Sequence, residues 1–233
     1  MVMLCDLAFA CHVYGGVSGY DSSYLRFLKA TGGAPDLADA AHRRAMLKWL
    51  NKWGCRQFKT EHHHQASSEI LEWSKQYLSS LFPVDRELFD LSQRDLAAAG
   101  EAYESLSIRI ASYKTRNRST YAVSVGPTGA SKVLFAIRPQ ALPPWDDKIR
   151  RHLGYDGSRA SYLAFLGHVR SLLEHLAGLC KREGFALAEL PRRLGRPQST
   201  LPKLIDEYYW VTITRGCKPP DRHTLQRWAK WAC

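Results

Sequence analysis

The stretch from Ser158 to Glu183, SRASYLAFLGHVRSLLEHLAGLCKRE, constrains this chain more than any other. Leu163, Leu166, Val169, Leu173, Leu176 and Leu179 recur at intervals of three and four, so they form one continuous apolar stripe only if the segment is a helix. Gly157-Ser158 marks its start and Gly184 its stop. The same spacing returns upstream. In PDLADAAHRRAMLKWLNKW it places Leu37, Ala41, Ala45, Trp49 and Trp53 near one face. In SSEILEWSKQYLSSLF it selects Ile70, Leu71, Trp73, Tyr77, Leu78 and Leu81, with Ser67 or Ser68 as N-cap. The tryptophans at 49, 53 and 73 read as core.

DRELFDLSQRDLAAAGEAYESLSIRIASYK continues the pattern, as two helices broken near Gly100. LAELPRRLGRPQSTLP reads as a loop, IDEYYWVTITRG as a helix end or a short strand, and TLQRWAKWA as a short closing helix. There is no internal repeat, and other strand signals are few. The expected class is mainly α: one module over residues 1–233, with a helical N-terminal lobe (1–100), a central region (101–180) and a basic C-terminal segment packing back on it (181–233).

A chain of 233 residues, 45% hydrophobic, buries a sizeable core without staples. Its 33 Lys and Arg against 22 Asp and Glu give a formal charge of +11, which favours an anionic partner, nucleic acid above all. Cys5, Cys11, Cys55, Cys180, Cys217 and Cys233 are scattered without a Cys-x-x-Cys pair and read as reduced thiols of a cytoplasmic protein. The opening MVMLCDLAFACHVYGG lacks a positive flank and carries Asp6, so neither a signal peptide nor a membrane span is expected.

The chemistry concentrates in VSVGPTGASKVLFAIRPQALPPWDDKIRRHL, Val123 to Leu153. Gly126 and Gly129 lie between AYESLSIRIASYK, read as a helix, and a second helix opening near Ala130, where a tight link needs glycine torsions. A turn feeding a helix N-terminus offers unpaired N–H groups to a phosphate. From Arg109 to Arg151 there are nine basic residues (Arg109, Lys114, Arg116, Arg118, Lys132, Arg138, Lys148, Arg150 and Arg151) against Asp146 and Asp147. That excess points to backbone phosphates.

SVGPTGA followed by FAIRPQALPPWDDKIRR resembles the helix-hairpin-helix DNA glycosylases, whose hairpin precedes a Pro-rich loop and a catalytic aspartate. Ser124 stands where that family's hairpin usually has its first glycine, and the similarity is confined to about residues 104–153. The resemblance implies a two-lobed helical architecture. It also implies Asp146 as the catalytic carboxylate and Gly126, Thr128, Gly129, Ser131 and Lys132 as the phosphate-binding set. Duplex DNA is the implied partner and a monomer the expected state.

Excising a base develops oxocarbenium character in the sugar, which a carboxylate stabilises, and it requires a pocket for the flipped base. Trp145, Tyr208, Tyr209 and Trp210 are the stacking candidates; Asn51, Arg56 and Gln57 are candidates for the residue that fills the vacated stack. Members of the family that also nick the strand carry a lysine directly after the hairpin glycines. Here Thr128-Gly129-Ala130 occupies that place and Lys132 comes a turn late, as a phosphate contact, so a monofunctional enzyme is expected. The family's four-cysteine iron–sulfur pattern is absent, and no cofactor or metal is expected. The overall similarity suggests a bacterial branch that restricts phages by excising modified bases, glucosylated 5-hydroxymethylcytosine being the suspected target.

Plainer readings stand beside these. The glycines serve equally in a simple helix-to-helix turn, and Asp146 after Pro144 serves as an N-cap. Phe82 to Asp85, FPVD, repeats the Pro-x-Asp pattern without a hairpin and reads as a cap. His62-His63-His64 point in different directions on a helix and lack a second cysteine at ligand spacing. Glu207 is a possible second acid, read as an exposed carboxylate. The rival functions are a non-catalytic helix-hairpin-helix DNA-binding module and a magnesium nuclease using Asp146-Asp147.

Overall fold

The computed structural model describes residues 2–228. Eleven α-helices and one two-stranded sheet occur among them. The first pair, α1 (Leu4–Val17) and α2 (Tyr20–Ala30), is followed by α3 (Ala40–Lys52), which starts where the Asp39 side chain accepts a hydrogen bond from the Ala41 N–H. α4 (His63–Tyr77) and α5 (Gln93–Ile108) come next, the latter opened by a capping box between Ser92 and Asp95. After the sheet come α6 (Gly126–Ile137), α7 (Asp147–His152) and the long α8 (Arg159–Arg182). The remainder is α9 (Leu190–Arg193), α10 (Leu201–Tyr209), one π-helical turn (Trp210–Thr214) and α11 (Arg222–Trp228). The rest of TLQRWAKWA, and Cys233, lie outside the described residues.

Three expectations change. α5 is unbroken, because Gly100 is a packing residue: a Cβ there would meet Arg159 and Leu163 of α8 at 3.1 Å, so its absence lets the two helices close. The segment read as a helix after Leu106 ends instead at Ile108. Strands β1 (Ile110–Arg116) and β2 (Ser119–Ser124) then form an antiparallel hairpin, with a register irregularity between Ile110 and Ser112. The turn at Gly126 therefore joins a strand to a helix and not two helices. The segment read as a loop holds a 3₁₀ turn (Leu187–Glu189) and α9, whereas IDEYYWVTITRG is a helix end.

One continuous set of buried side chains runs from Leu4 to Leu225. Trp49 on α3 and Trp53 at its C-cap pack with Tyr24, Phe27 and Phe135, and Trp73 is sealed under α5 by an indole hydrogen bond to the Ala102 carbonyl. A second aromatic group joins Trp145 to Tyr103, Tyr162 and Phe165, tying the segment before α7 to α5 and α8. α1 packs on α10, and α5 on both α6 and α8. This packing brings the end of α3, the first half of α6, the end of α10 and the start of α7 around one cavity.

Candidate functional site

The cavity is about 640 Å³, a size suited to one small ligand. Six stretches of chain supply its walls. Tyr20 opens α2, and its ring lies 5.6 Å from Trp210 and 6.4 Å from Trp53. Tyr14 of α1 meets Trp210 edge to face at 5.3 Å. At the end of α3, Gly54 adopts φ +80°, a left-handed position that stops the helix and redirects the chain toward Arg56 and Gln57 on the rim. The π turn places Trp210 and Thr214 on the same cavity; its wide hydrogen bond runs from the Arg215 N–H to the Trp210 carbonyl at 2.9 Å.

Asp146 sits on this wall as the N-cap of α7. Its Oδ1 accepts from the Ile149 N–H at 2.8 Å and its Oδ2 from the Thr214 hydroxyl at 3.0 Å. The carboxylate is thus held in one orientation from two sides, and cap and site residue are the same side chain. Asp147 also lines the cavity but is drawn outward by Arg150 and Arg151. Lys148 reaches the Thr214 carbonyl at 3.3 Å and, with Arg56, leaves an exposed cation on the rim.

Lys132 is no surface phosphate contact. It is buried, and its ammonium donates to the Trp53 carbonyl at 2.6 Å and lies 5.6 Å from the Trp53 ring, where it lines the cavity floor. A cation–carbonyl bond of this kind anchors the end of α3 to α6. Thr128, in the first turn of α6, lines the cavity as well.

Other expected contacts lie elsewhere. Ser131 is fully buried and bridges inward, donating to Thr128 and Trp145 carbonyls and accepting from the Trp145 N–H. Gly129 is buried in the helix interior, where an added Cβ would stand 2.8 Å from Gln57 Nε2 and 2.9 Å from Val125. Gly126 keeps its turning role, at φ +69°, at the strand-to-helix junction. Gln57 is on the rim, but its amide is committed to the Val125 carbonyl at 2.7 Å.

Trp145 is buried in the aromatic core and Tyr209 is buried with its hydroxyl on His168 at 2.6 Å, so neither ring can stack on a ligand. Of the four stacking candidates, Trp210 alone lines the cavity. Asn51 faces a different groove, between α2 and α3, and bonds His63 at 3.0 Å. Among the described residues no group of three His, Cys, Asp or Glu side chains is placed to hold a metal. The ring of His62 instead accepts from the Tyr113 N–H.

Glu207 is not exposed. It is fully buried, with Lys203 at 3.1 Å, Ser199 at 2.9 Å and Arg196 in a two-point contact at 2.9 and 3.0 Å. Burial alone would raise its pKa; Lys203 and Arg196 outweigh that and hold it below the ordinary glutamate value.

The residue beside it is a third carboxylate of the cavity, after Asp146 and Asp147. Asp206 lines the cavity with its side chain 11% exposed, and its nearest cation, Lys203, is 3.9 Å away. Burial pushes its carboxyl up to about 7, with Asp146 and Glu207 adding to the rise and Lys203 and Lys132 opposing it. Sequence reasoning passed over Asp206, Tyr14, Tyr20 and Thr214, since only the tertiary packing of α1, α2 and α10 brings them to Asp146. Trp53 was read as core alone, yet its ring both buries and lines the cavity.

No helix among the described residues is long and apolar enough to cross a membrane. Compared with models of known protein families, with curated proteins and with solved structures, the chain matches none.

Proposed function

We propose that the protein is a monofunctional DNA N-glycosylase that draws a modified base into this cavity and leaves an abasic site. The observation that carries the reading is Asp146, fixed by two hydrogen bonds on the wall of a cavity flanked by aromatic rings and rimmed by cations. In this reading the phosphates beside the extruded nucleotide lie against Arg56 and Lys148, and the base lies against the wall formed by Tyr20, Trp53 and Trp210. The bond between C1′ and the base nitrogen breaks, with the electron pair leaving on the base. Asp146 stabilises the cationic sugar and takes a proton from the water that forms the new C1′–O bond. Asp206, kept partly protonated near neutral pH, supplies a proton to the departing base. Glucosylated 5-hydroxymethylcytosine of phage DNA is the first substrate to try.

The test incubates wild type and Asp146→Asn with normal and phage-modified genomic DNA, identifying released bases by mass spectrometry. Release from one DNA by the wild type alone supports the reading and names the base. Binding without release on every DNA would leave Asp146 a helix cap in a non-catalytic DNA-binding module. Because Lys132 lines the same cavity, borohydride trapping of a protein–DNA adduct through it would make the enzyme a strand-nicking one.

A further inference from the structure

The nine basic residues between Arg109 and Arg151 are not equivalent once folded. Arg109 pairs with Glu69 and bonds Gln76, and Lys132 is spent on Trp53. Arg138 bonds the Phe82 and Ile137 carbonyls, Lys148 the Thr214 carbonyl, and Arg150 and Arg151 pair with Asp147. Lys114, Arg116 and Arg118 are the three left without a partner among the described residues, and all three are exposed on the β1–β2 hairpin.

The tip of that hairpin is strained. Asn117 and Arg118 both have positive φ, +50° and +64°, as the two central residues of a tight hairpin turn require. Asparagine tolerates this conformation and glycine is the usual second residue, whereas an arginine there opposes its own backbone preference. The fold gains no contact from the Arg118 side chain to offset that. Cross-strand pairing of Lys114 with Tyr121 and of Arg116 with Ser119 puts both cations and an exposed tyrosine on one face of the ribbon.

We propose that this ribbon is a DNA-reading arm, which lies in a groove of the duplex beside the cavity with Arg118 at its leading end. Resting as it does on the DNA reading above, the inference adds a second, separate contact region to it. A two-stranded ribbon fits the major groove. Six strand residues span roughly 20 Å, so the tip reaches about six base pairs from the junction at Gly126. Charges on exposed strand edges also guard against edge-to-edge association. That plainer role is separable by experiment.

The decisive variant is Arg118→Gly, which relieves the turn and removes the charge. It should melt at the same temperature as wild type or higher, yet bind unmodified duplex more weakly, with the slope of log affinity against log salt reduced by about one. Lys114→Ala/Arg116→Ala should remove about two more units of slope, while Lys181→Ala on the surface of α8 should leave it unchanged. Single-turnover base release at saturating protein should not move, because Arg118 lies outside the cavity. Hydroxyl-radical footprints of the ribbon variants should shorten on one side.

Unchanged affinity and slope in Arg118→Gly would overturn the arm and leave the glycosylase reading standing. Concentration-dependent self-association of the ribbon variants with undiminished DNA binding would assign the charges to edge protection and equally overturn it. Preference of the wild type for single strands over duplex would overturn groove insertion. A wild type that binds no DNA removes the proposed function itself.

Discussion

Two charged groups hang from the same helix, α10, and differ in whether the protein closes them. On one side Lys203 and Glu207, a turn apart, are sealed with Arg196, Ser199, Asp21 and the Tyr14 hydroxyl, so that every charge meets an opposite one. On the other, Asp206 lines the open cavity together with Asp146, and its nearest cation, Lys203, stands 3.9 Å away. Adjacent residues in sequence thus acquire opposite states: Glu207 is held ionised, whereas Asp206 is pushed toward its neutral form. Closed charge of the first kind is costly to break, because removing one partner leaves the other buried and undercompensated. Open charge of the second kind is what chemistry at neutral pH uses.

The largest loss from a single substitution that tests this contrast comes from the closed side. Glu207→Ala takes from Lys203 its nearest and fully buried counter-charge and leaves Arg196 with Asp21 alone, and should cost about 3 kcal/mol in a denaturant titration. A loss below about 1 kcal/mol would show that the group is hydrated and not sealed.

On the open side the prediction concerns pH. Below about pH 4 the Asp206 carboxyl is protonated in folded and unfolded chains alike. Between about 4 and 7 the unfolded chain ionises and the folded one does not, so folding holds the extra proton and stability falls as pH rises. At about 1.4 kcal/mol per pH unit the decline reaches up to about 4 kcal/mol. It should vanish in Asp206→Asn. The same slope in both proteins would place the titration elsewhere.

Asp146→Asn sharpens the comparison differently. Asparagine caps a helix as well as aspartate does, so stability should change by only a few tenths of a kcal/mol. Base release, by contrast, should fall by about 10²-fold or more, as when a preorganised electrostatic contact is removed. The smallest effect on release belongs to Thr214→Val, which removes one hydrogen bond from that carboxylate and should cost about 1 kcal/mol in stability. It should also slow release less than the Asp146 change.

Helices with long apolar stripes were legible in the sequence, as was the start of α7, because Pro144 and Asp146 carry local signals. The hairpin was not. SIRIASYK supports a period of two as well as one of three and four, and the turn Asn117-Arg118 lacks the glycine that usually announces a hairpin. Trp210, Thr128, Arg56 and Asp146 were named and do share a cavity. Trp145, Tyr209 and Ser131 were misplaced because their neighbours on α5, α6 and α8 are distant in sequence. Residue type alone does not tell a ring that stacks from one that packs. The same holds for Lys132, whose carbonyl partner, Trp53, caps the end of α3.

The π turn that continues α10 has a consequence for how such a cavity can change over generations. Trp210 and Thr214 are delivered by a backbone whose preceding turns are pinned by the Lys203–Glu207 group. Arg56 and Lys148 stand on the rim, exposed and outside that group. A substitution at the rim can therefore alter what the cavity accepts without touching the group that holds its inner wall in place.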